Sequence, residues 1–123
     1  MQVAVRPHPI FERDGYDVWC ELPLTFLQVA LGAEIQVPTL EGPVTYTVKE
    51  GTQPGELIRL RGKGIPYVNG RGKGDLIARI TVEVPRQLSN KQKELLRQFE
   101  ETMGEKNYQK RKSFFDKVKD VFN

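Results

Sequence analysis

At 123 residues, with 38% hydrophobic residues and a formal net charge of +3, the chain suits one modest domain with a small core and an appendage. No run approaches the ~18 apolar residues of a membrane span, and the N-terminus lacks a signal-peptide pattern. Cys20 is the single cysteine, which excludes an internal disulfide and fits a reducing compartment, so a cytoplasmic protein with no membrane partner is expected.

Residues 2–6 alternate, with Val3 and Val5 on one face, and read as a first strand that Pro7 and Pro9 interrupt. Asp14-Gly15 signals a turn. Residues 16–22 then alternate, placing Val18, Cys20 and Leu22 on one face and Trp19 on the other. Cys20 reads there as a small core hydrophobe, because a reactive thiol needs a neighbouring base and the only histidine, His8, lies in another segment. Thr25 and Gln28 have capping-box spacing, and Gly32 is placed to end the short helix they open. The predicted buried face of that helix is Phe26, Leu27, Ala30 and Leu31, packed on the sheet because so short a helix is marginal alone. Ile35 and Val37 alternate in the next strand, residues 39–43 turn, and Val44, Tyr46 and Val48 alternate in the return strand.

Residues 51–75 carry glycine at a density no helix tolerates, and Arg-Gly-Lys-Gly occurs there twice, at 61–64 and 71–74. Residues 57–61 read as one strand and 76–84 as another, joined by a glycine-punctuated connection that holds Pro66 and the turn pair Asn69-Gly70. Arg59, Arg61, Lys63, Arg71 and Lys73 fall in this stretch before the first acid of its later half, Asp75. These residues suit phosphate binding, as in a nucleic-acid-binding β-module. They suit better a long hairpin connection kept soluble by its charges, because a basic cluster is usually a solvated face. Leu76, Ala78, Ile80, Val82 and Val84 then alternate with Ile77, Arg79, Thr81 and Glu83, the pattern of a half-buried antiparallel strand that closes the body before Pro85.

After that the composition shifts. Residues 1–85 hold nine Lys/Arg against ten Asp/Glu, a net of −1, while residues 86–123 hold ten against six, a net of +4; together these give +3. A near-neutral body argues against a whole-domain grip on nucleic acid. Ser89 and Gln92 form a second capping box, and Leu95, Leu96, Phe99 and Met103 follow at helical spacing before Gly104. Residues 105–112 are polar and read as a flexible linker. Ser113 is predicted to open a last helix of ten residues carrying Phe114, Phe115, Val118, Val121 and Phe122. Too short to stand alone, such a helix must either fold back on its own domain or dock on another subunit.

Several ordered motifs carry a resemblance. Gly51-Thr52-Gln53-Pro54-Gly55, Arg59-Leu60-Arg61-Gly62-Lys63-Gly64-Ile65-Pro66 and Gly74-Asp75-Leu76 resemble the C-terminal region of the DnaJ chaperone family. His8-Pro9-Ile10-Phe11-Glu12-Arg13-Asp14-Gly15, Ala30-Leu31-Gly32 and Val37-Pro38-Thr39-Leu40-Glu41-Gly42 fit the same pattern in the same order. The resemblance runs from about Val3 to the last residue. It implies a mainly β fold: a small β-sandwich-like, peptide-binding-type domain with one short helix over residues 1–85, the second of two in the full-length family. A helical dimerisation segment follows over 86–123. Such a piece would be cut from a longer chain, with Met1 an artificial start.

The resemblance further implies a co-chaperone role: homodimerisation, with Phe114, Phe115, Val118, Val121 and Phe122 at the interface, and binding or positioning of unfolded client polypeptides for delivery to a DnaK-type ATP-driven chaperone. Ile65, Pro66, Tyr67 and Val68 are the candidate client contact. The alternative is the basic-loop nucleic-acid-binding module, against which a neutral body and few stacking aromatics count. The family's cysteine-rich zinc region and its ATPase-stimulating J-domain are both missing; His8-Pro9-Ile10 lacks the aspartate of the J-domain's His-Pro-Asp signature. One histidine and one cysteine make neither a zinc site nor a catalytic set, so no cofactor and no enzyme activity are expected.

Overall fold

The computed structural model describes residues 10–122, so the expected strand at 2–6 and the turn at His8 lie outside the described residues. The chain divides into two units, Met1–Val84 and Pro85–Asn123.

The first unit is mainly β. Its strands are β1 (Glu12–Asp14), β2 (Asp17–Thr25), β3 (Ala33–Val37), β4 (Val44–Val48), β5 (Leu57–Leu60) and β6 (Leu76–Glu83), with helix α1 (Phe26–Leu31) between β2 and β3. They form a four-stranded sheet in the order β1-β2-β6-β5 and a two-stranded sheet of β3 and β4. Alternation in β2 buries Val18, Cys20, Leu22 and Leu24 on one face. Of these, Cys20, Leu22 and Leu24 meet Ile35, Val37 and Val48 from the small sheet and Ile58, Leu76, Ala78 and Ile80 from the large one, the two-layer core of a small sandwich.

Strand β6 is not the antiparallel closing strand that its alternation suggested. It lies inside the sheet, antiparallel to β5 on one side and parallel to β2 on the other, with Val18 opposite Leu76 and Leu22 opposite Ile80. A parallel partner requires a long crossover, which α1, β3, β4 and β5 supply. The central position also explains why Leu76, Ile77 and Ala78 are buried in succession instead of alternating.

Helix α1 forms as its capping box dictates: the Thr25 hydroxyl accepts from the Gln28 amide, and the Gln28 side chain accepts from the Thr25 amide. Gly32 ends it at φ +81°, and a Cβ there would lie 2.9 Å from the Val48 carbonyl, so both backbone and space demand glycine. The predicted buried face is wrong. Val29 is the buried residue, while Phe26, Leu27 and Leu31 are exposed. Six residues make fewer than two turns, and the Val29 carbonyl is held by the amides of Gly51 and Thr52, which turns that side of the helix inward.

In the second unit, α2 (Asn90–Glu101) opens on the expected capping box, with the Ser89 hydroxyl accepting from Gln92 N and the Gln92 side chain accepting from Ser89 N. The flexible linker predicted at 105–112 is replaced by a single 3-10 turn (Glu105–Asn107) and the first residues of α3 (Gln109–Phe122). The last helix therefore begins four residues before Ser113 and has 14 residues. Lys110, Arg111 and Lys112 are good helix formers whatever their charge. The Lys112 amide closes a turn on the Tyr108 carbonyl, and the Tyr108 hydroxyl donates to Glu100 at 3.1 Å.

Candidate functional site

The glycine-rich stretch is an ordered hairpin rather than a loose connection. The last glycines of the two Arg-Gly-Lys-Gly sequences face each other: Gly64 N donates to Gly74 O at 2.8 Å, and Gly74 N donates to Ile65 O at 2.9 Å. The Ile65 amide also donates to Tyr16 O at 2.9 Å, which seats the pair on the chain just before β2. A Cβ on Gly64 would stand 2.5 Å from Tyr16 O and 2.6 Å from the Gly74 carbonyl carbon, and one on Gly74 would overlap the Tyr16 carbonyl. Close approach of three backbone segments, not positive φ, fixes glycine at both places.

Beyond that pair, Pro66 bridges to Lys73, Tyr67 N donates to Gly72 O at 2.9 Å, and Gly70 N donates to Tyr67 O at 3.0 Å. The tip is stiffened by Asn69, whose side-chain oxygen accepts from Arg71 N. The four candidate client-contact residues are thus brought together. Ile65 is half-buried, while Pro66, Tyr67 and Val68 are exposed, Val68 by 90%. Tyr67 packs edge-on against Tyr16, ring centroids 5.1 Å apart. Tyr16 was missed as part of this surface; its place at the start of an alternating strand gave no hint of the loop that returns to it.

Two of the five cations in this region are tied down. Arg59 donates to Asp75 Oδ2 at 2.7 Å, and Lys73 pairs with Glu41 in the β3–β4 turn. The Arg59 hydrogen bond, with help from the Gly62 amide on Oδ1, holds the Asp75 carboxyl below its ordinary range. Carboxylate partners blunt the field that a phosphate-binding loop requires, so the geometry does not favour the nucleic-acid reading.

On the outer face of the four-stranded sheet lies an open groove of about 860 Å³, lined among others by Phe11, Arg13, Trp19, Glu21, Pro23 and Arg79. The Arg79 guanidinium stands 6.0 Å from the Trp19 ring centroid, the outer limit of a cation–π contact. The alternation of β2 placed Trp19 off the core but gave no sign of the groove. Cys20 points the other way, into the core, and burial pushes its thiol pKa up. Among the described residues no cluster of three or more His, Cys, Asp or Glu is placed to hold a metal ion.

In the second unit, neither α2 nor α3 has a fully buried residue. Four of the five candidate interface residues on α3 are exposed, Phe114 by 60% and Phe122 by 83%, and Val118 is half-buried. Phe114 and Phe115 pack edge-on at 5.1 Å, and the Arg111 guanidinium covers the Phe115 ring at 4.7 Å. Helix α2 adds a second apolar stripe, visible in the sequence as helical spacing but not assigned there to a contact: Leu95 and Leu96 are exposed by 54% and 46%.

A sandwich of a four- and a two-stranded sheet with one capped helix, followed by an amphipathic helical tail, defines a β-domain of a known kind. Residues 1–85 match the family described as DnaJ C terminal domain, and residues 91–123 match the Chaperone protein DnaJ C-terminal region. The chain belongs to the DnaJ C-terminal domain family. It is 55% identical over 122 residues to the Chaperone protein DnaJ of Ruminiclostridium cellulolyticum, covering 99% of this chain and 32% of that protein. It is 49% identical over 123 residues to that of Caldicellulosiruptor saccharolyticus, covering 100% and 32% respectively. With the Acetivibrio thermocellus protein it shares 53% over 119 residues, 97% of this chain and 31% of the relative. The chain spans about a third of the length of these curated relatives.

Proposed function

We propose that the chain serves a DnaJ-type co-chaperone by joining subunits and by binding or positioning unfolded polypeptides for delivery to a DnaK-type ATP-driven chaperone. The observation that carries this reading is the similarity along the whole chain to proteins named Chaperone protein DnaJ. Client contact is assigned to Ile65, Pro66, Tyr67 and Val68, joined by Tyr16. An extended apolar peptide gains affinity from backbone pairing and from apolar side chains seated beside it, and a stiff aromatic hairpin tip loses little entropy in making such contacts.

The subunit contact is assigned to the tail. With three phenylalanines exposing 60%, 44% and 83% of their surface, the apolar arc of α3 offers roughly 500 Å² per protomer, taking about 200 Å² for a whole aromatic side chain. A standard interface needs about 800 Å² per partner. The α2 stripe of Leu95 and Leu96 narrows that gap, so both helices enter the proposed contact. Two client sites on one dimer would raise effective concentration at a single polypeptide.

Light scattering tests the assembly. The intact chain should show twice its 14.1 kDa, and a chain ending after Gly104 should fall towards one. A single-chain mass for the intact protein would remove the subunit-joining half of the proposal. Client contact is tested separately with a labelled extended apolar peptide: Tyr67→Ala with Val68→Asp should weaken its binding about tenfold, and unchanged binding would remove that half.

A further inference from the structure

Charge is segregated within the β-domain. Residues 61–74 hold Arg61, Lys63, Arg71 and Lys73 with no acid, a net of +4. The rest of residues 1–85 holds five Lys/Arg against ten Asp/Glu, a net of −5. The hairpin that presents Tyr67 and Val68 is therefore a positive projection from a negative body. One of its cations is answered from within the chain, since Lys73 pairs with Glu41. Arg61, Lys63 and Arg71 make no ion pair among the described residues. Arg61 adds only a longer-range field to Asp75, whose carboxylate is already held by Arg59 and the Gly62 amide. Lys63 precedes Ile65 by two residues and Arg71 follows Val68 by three, so free cations bracket the apolar contact at both ends.

Solubility alone does not demand this sorting, because interspersed signs keep a surface soluble equally well. The same basic stretch already takes carboxylates twice, Glu41 on Lys73 and Asp75 on Arg59. We propose that the hairpin selects client segments whose apolar residues are flanked by Asp or Glu. Ile65, Pro66, Tyr67 and Val68 meet the apolar residues, while Arg61, Lys63 and Arg71 receive the flanking carboxylates. Guanidinium forks suit carboxylates in particular, since two parallel N–H donors match two oxygens. Segments flanked by Lys or Arg are turned away by the same cations, and repulsion of the wrong partner contributes to selectivity as much as attraction of the right one. A long polyanion such as nucleic acid meets the negative body beneath the hairpin, whereas a short segment with a few acids stays within the positive projection. This selectivity rests on the client contact proposed above and names the substrate class of that contact.

The test uses the intact chain and labelled peptides that share one apolar core, flanked on both sides by glutamates, serines or lysines, with binding read by fluorescence anisotropy. At low salt the glutamate-flanked peptide should bind about tenfold tighter than the lysine-flanked one, with the serine-flanked peptide between them, as expected for a few exposed charge pairs gained in one case and opposed in the other. The ratio should shrink towards one as salt rises. Arg61→Gln with Arg71→Gln should lower it to about threefold or less. Lys49→Gln with Arg79→Gln, which removes the same charge from the body, should leave it within about twofold of the parent. Each ratio is taken within one variant, so partial loss of folding affects both peptides alike. Equal affinity for the three peptides, an equal fall of the ratio in both variants, or displacement of the glutamate-flanked peptide by a single-stranded oligonucleotide as readily as by unlabelled peptide would each overturn the proposal. Tyr67→Ala with Val68→Asp separates this failure from that of the client contact. Peptides that lose affinity in that variant but show no ranking by charge leave the contact standing and remove the selectivity. Absence of binding by all three peptides removes both.

Discussion

Replacing Gly74 by alanine drives a methyl group into the Tyr16 carbonyl and to within 3.0 Å of Asp17 Oδ1. The Tyr16 atoms are backbone, so no rotamer change relieves the overlap. The hairpin must move away from residues 16–17, weakening Gly64 N to Gly74 O, Ile65 N to Tyr16 O, and Asp75 N to Asp17 Oδ1. Three hydrogen bonds at about 1 kcal/mol net each put the cost near 3 kcal/mol, the upper end of typical overpacking penalties. For a domain of this size that corresponds to a fall in Tm of about 12–24 °C. Urea unfolding followed by the fluorescence of Trp19, the single tryptophan, measures it in the intact chain. Gly62→Ala is the control: Gly62 sits at φ +73° with nothing within 4 Å of a Cβ, so only left-handed backbone strain of about 1 kcal/mol applies. If Gly74→Ala costs no more than Gly62→Ala, the close-approach argument is wrong. Gly64→Ala should resemble Gly74→Ala, and the double variant should cost less than the two together, since both break the same contacts.

Asp75 gives a pH dependence. Its folded pKa is lowered, chiefly by the Arg59 hydrogen bond, so its stabilisation is fully present above the ordinary carboxylate value near ~4 and is lost as pH falls through the lower folded value. The urea midpoint of the parent should therefore approach that of Asp75→Asn on acidification below about pH 4; a constant separation down to strong acid would refute this. Thr25→Ala removes one half of the α1 capping box and should cost about 1 kcal/mol, with Thr25→Ser restoring most of it, as urea titration would show. Leu76, 0% exposed on the central strand, should cost about 2–5 kcal/mol as alanine, and a loss under 1 kcal/mol would mean the core closes over the gap. The Cys20 thiol, buried with a raised pKa, should resist iodoacetamide at pH 8 until urea unfolds the domain; rapid alkylation of the native chain would contradict its burial.

Much of the fold was legible because the signals are local. Period-two alternation picked out β2 and the β3–β4 pair and put Cys20 inside and Trp19 outside. The spacings Thr25 to Gln28 and Ser89 to Gln92 fixed two helix starts, since a capping box is closed within four residues. The candidate contacts were legible in part. The Ile65 to Val68 stretch does stand out on a hairpin tip, but Tyr16 beneath it and the groove beside Trp19 and Arg79 did not show in any local pattern. The apolar face of α3 was visible, whereas its start was misplaced because a run of cations looks like solvated linker until a turn closes around it.

By itself, the sequence determined a mainly β domain with one short helix and an amphipathic tail, through spacings that act over two to four residues. Only the tertiary structure decided that β6 runs parallel to β2 at the centre of a sheet, that Val29 rather than Phe26 or Leu27 is buried in α1, and that the repeated Arg-Gly-Lys-Gly pairs with itself over the Tyr16 carbonyl. Each of those outcomes depends on segments far apart in the chain meeting in space. Strand alternation is the same for parallel and antiparallel neighbours, and a glycine chosen for close approach looks, in sequence, like a glycine chosen for a turn.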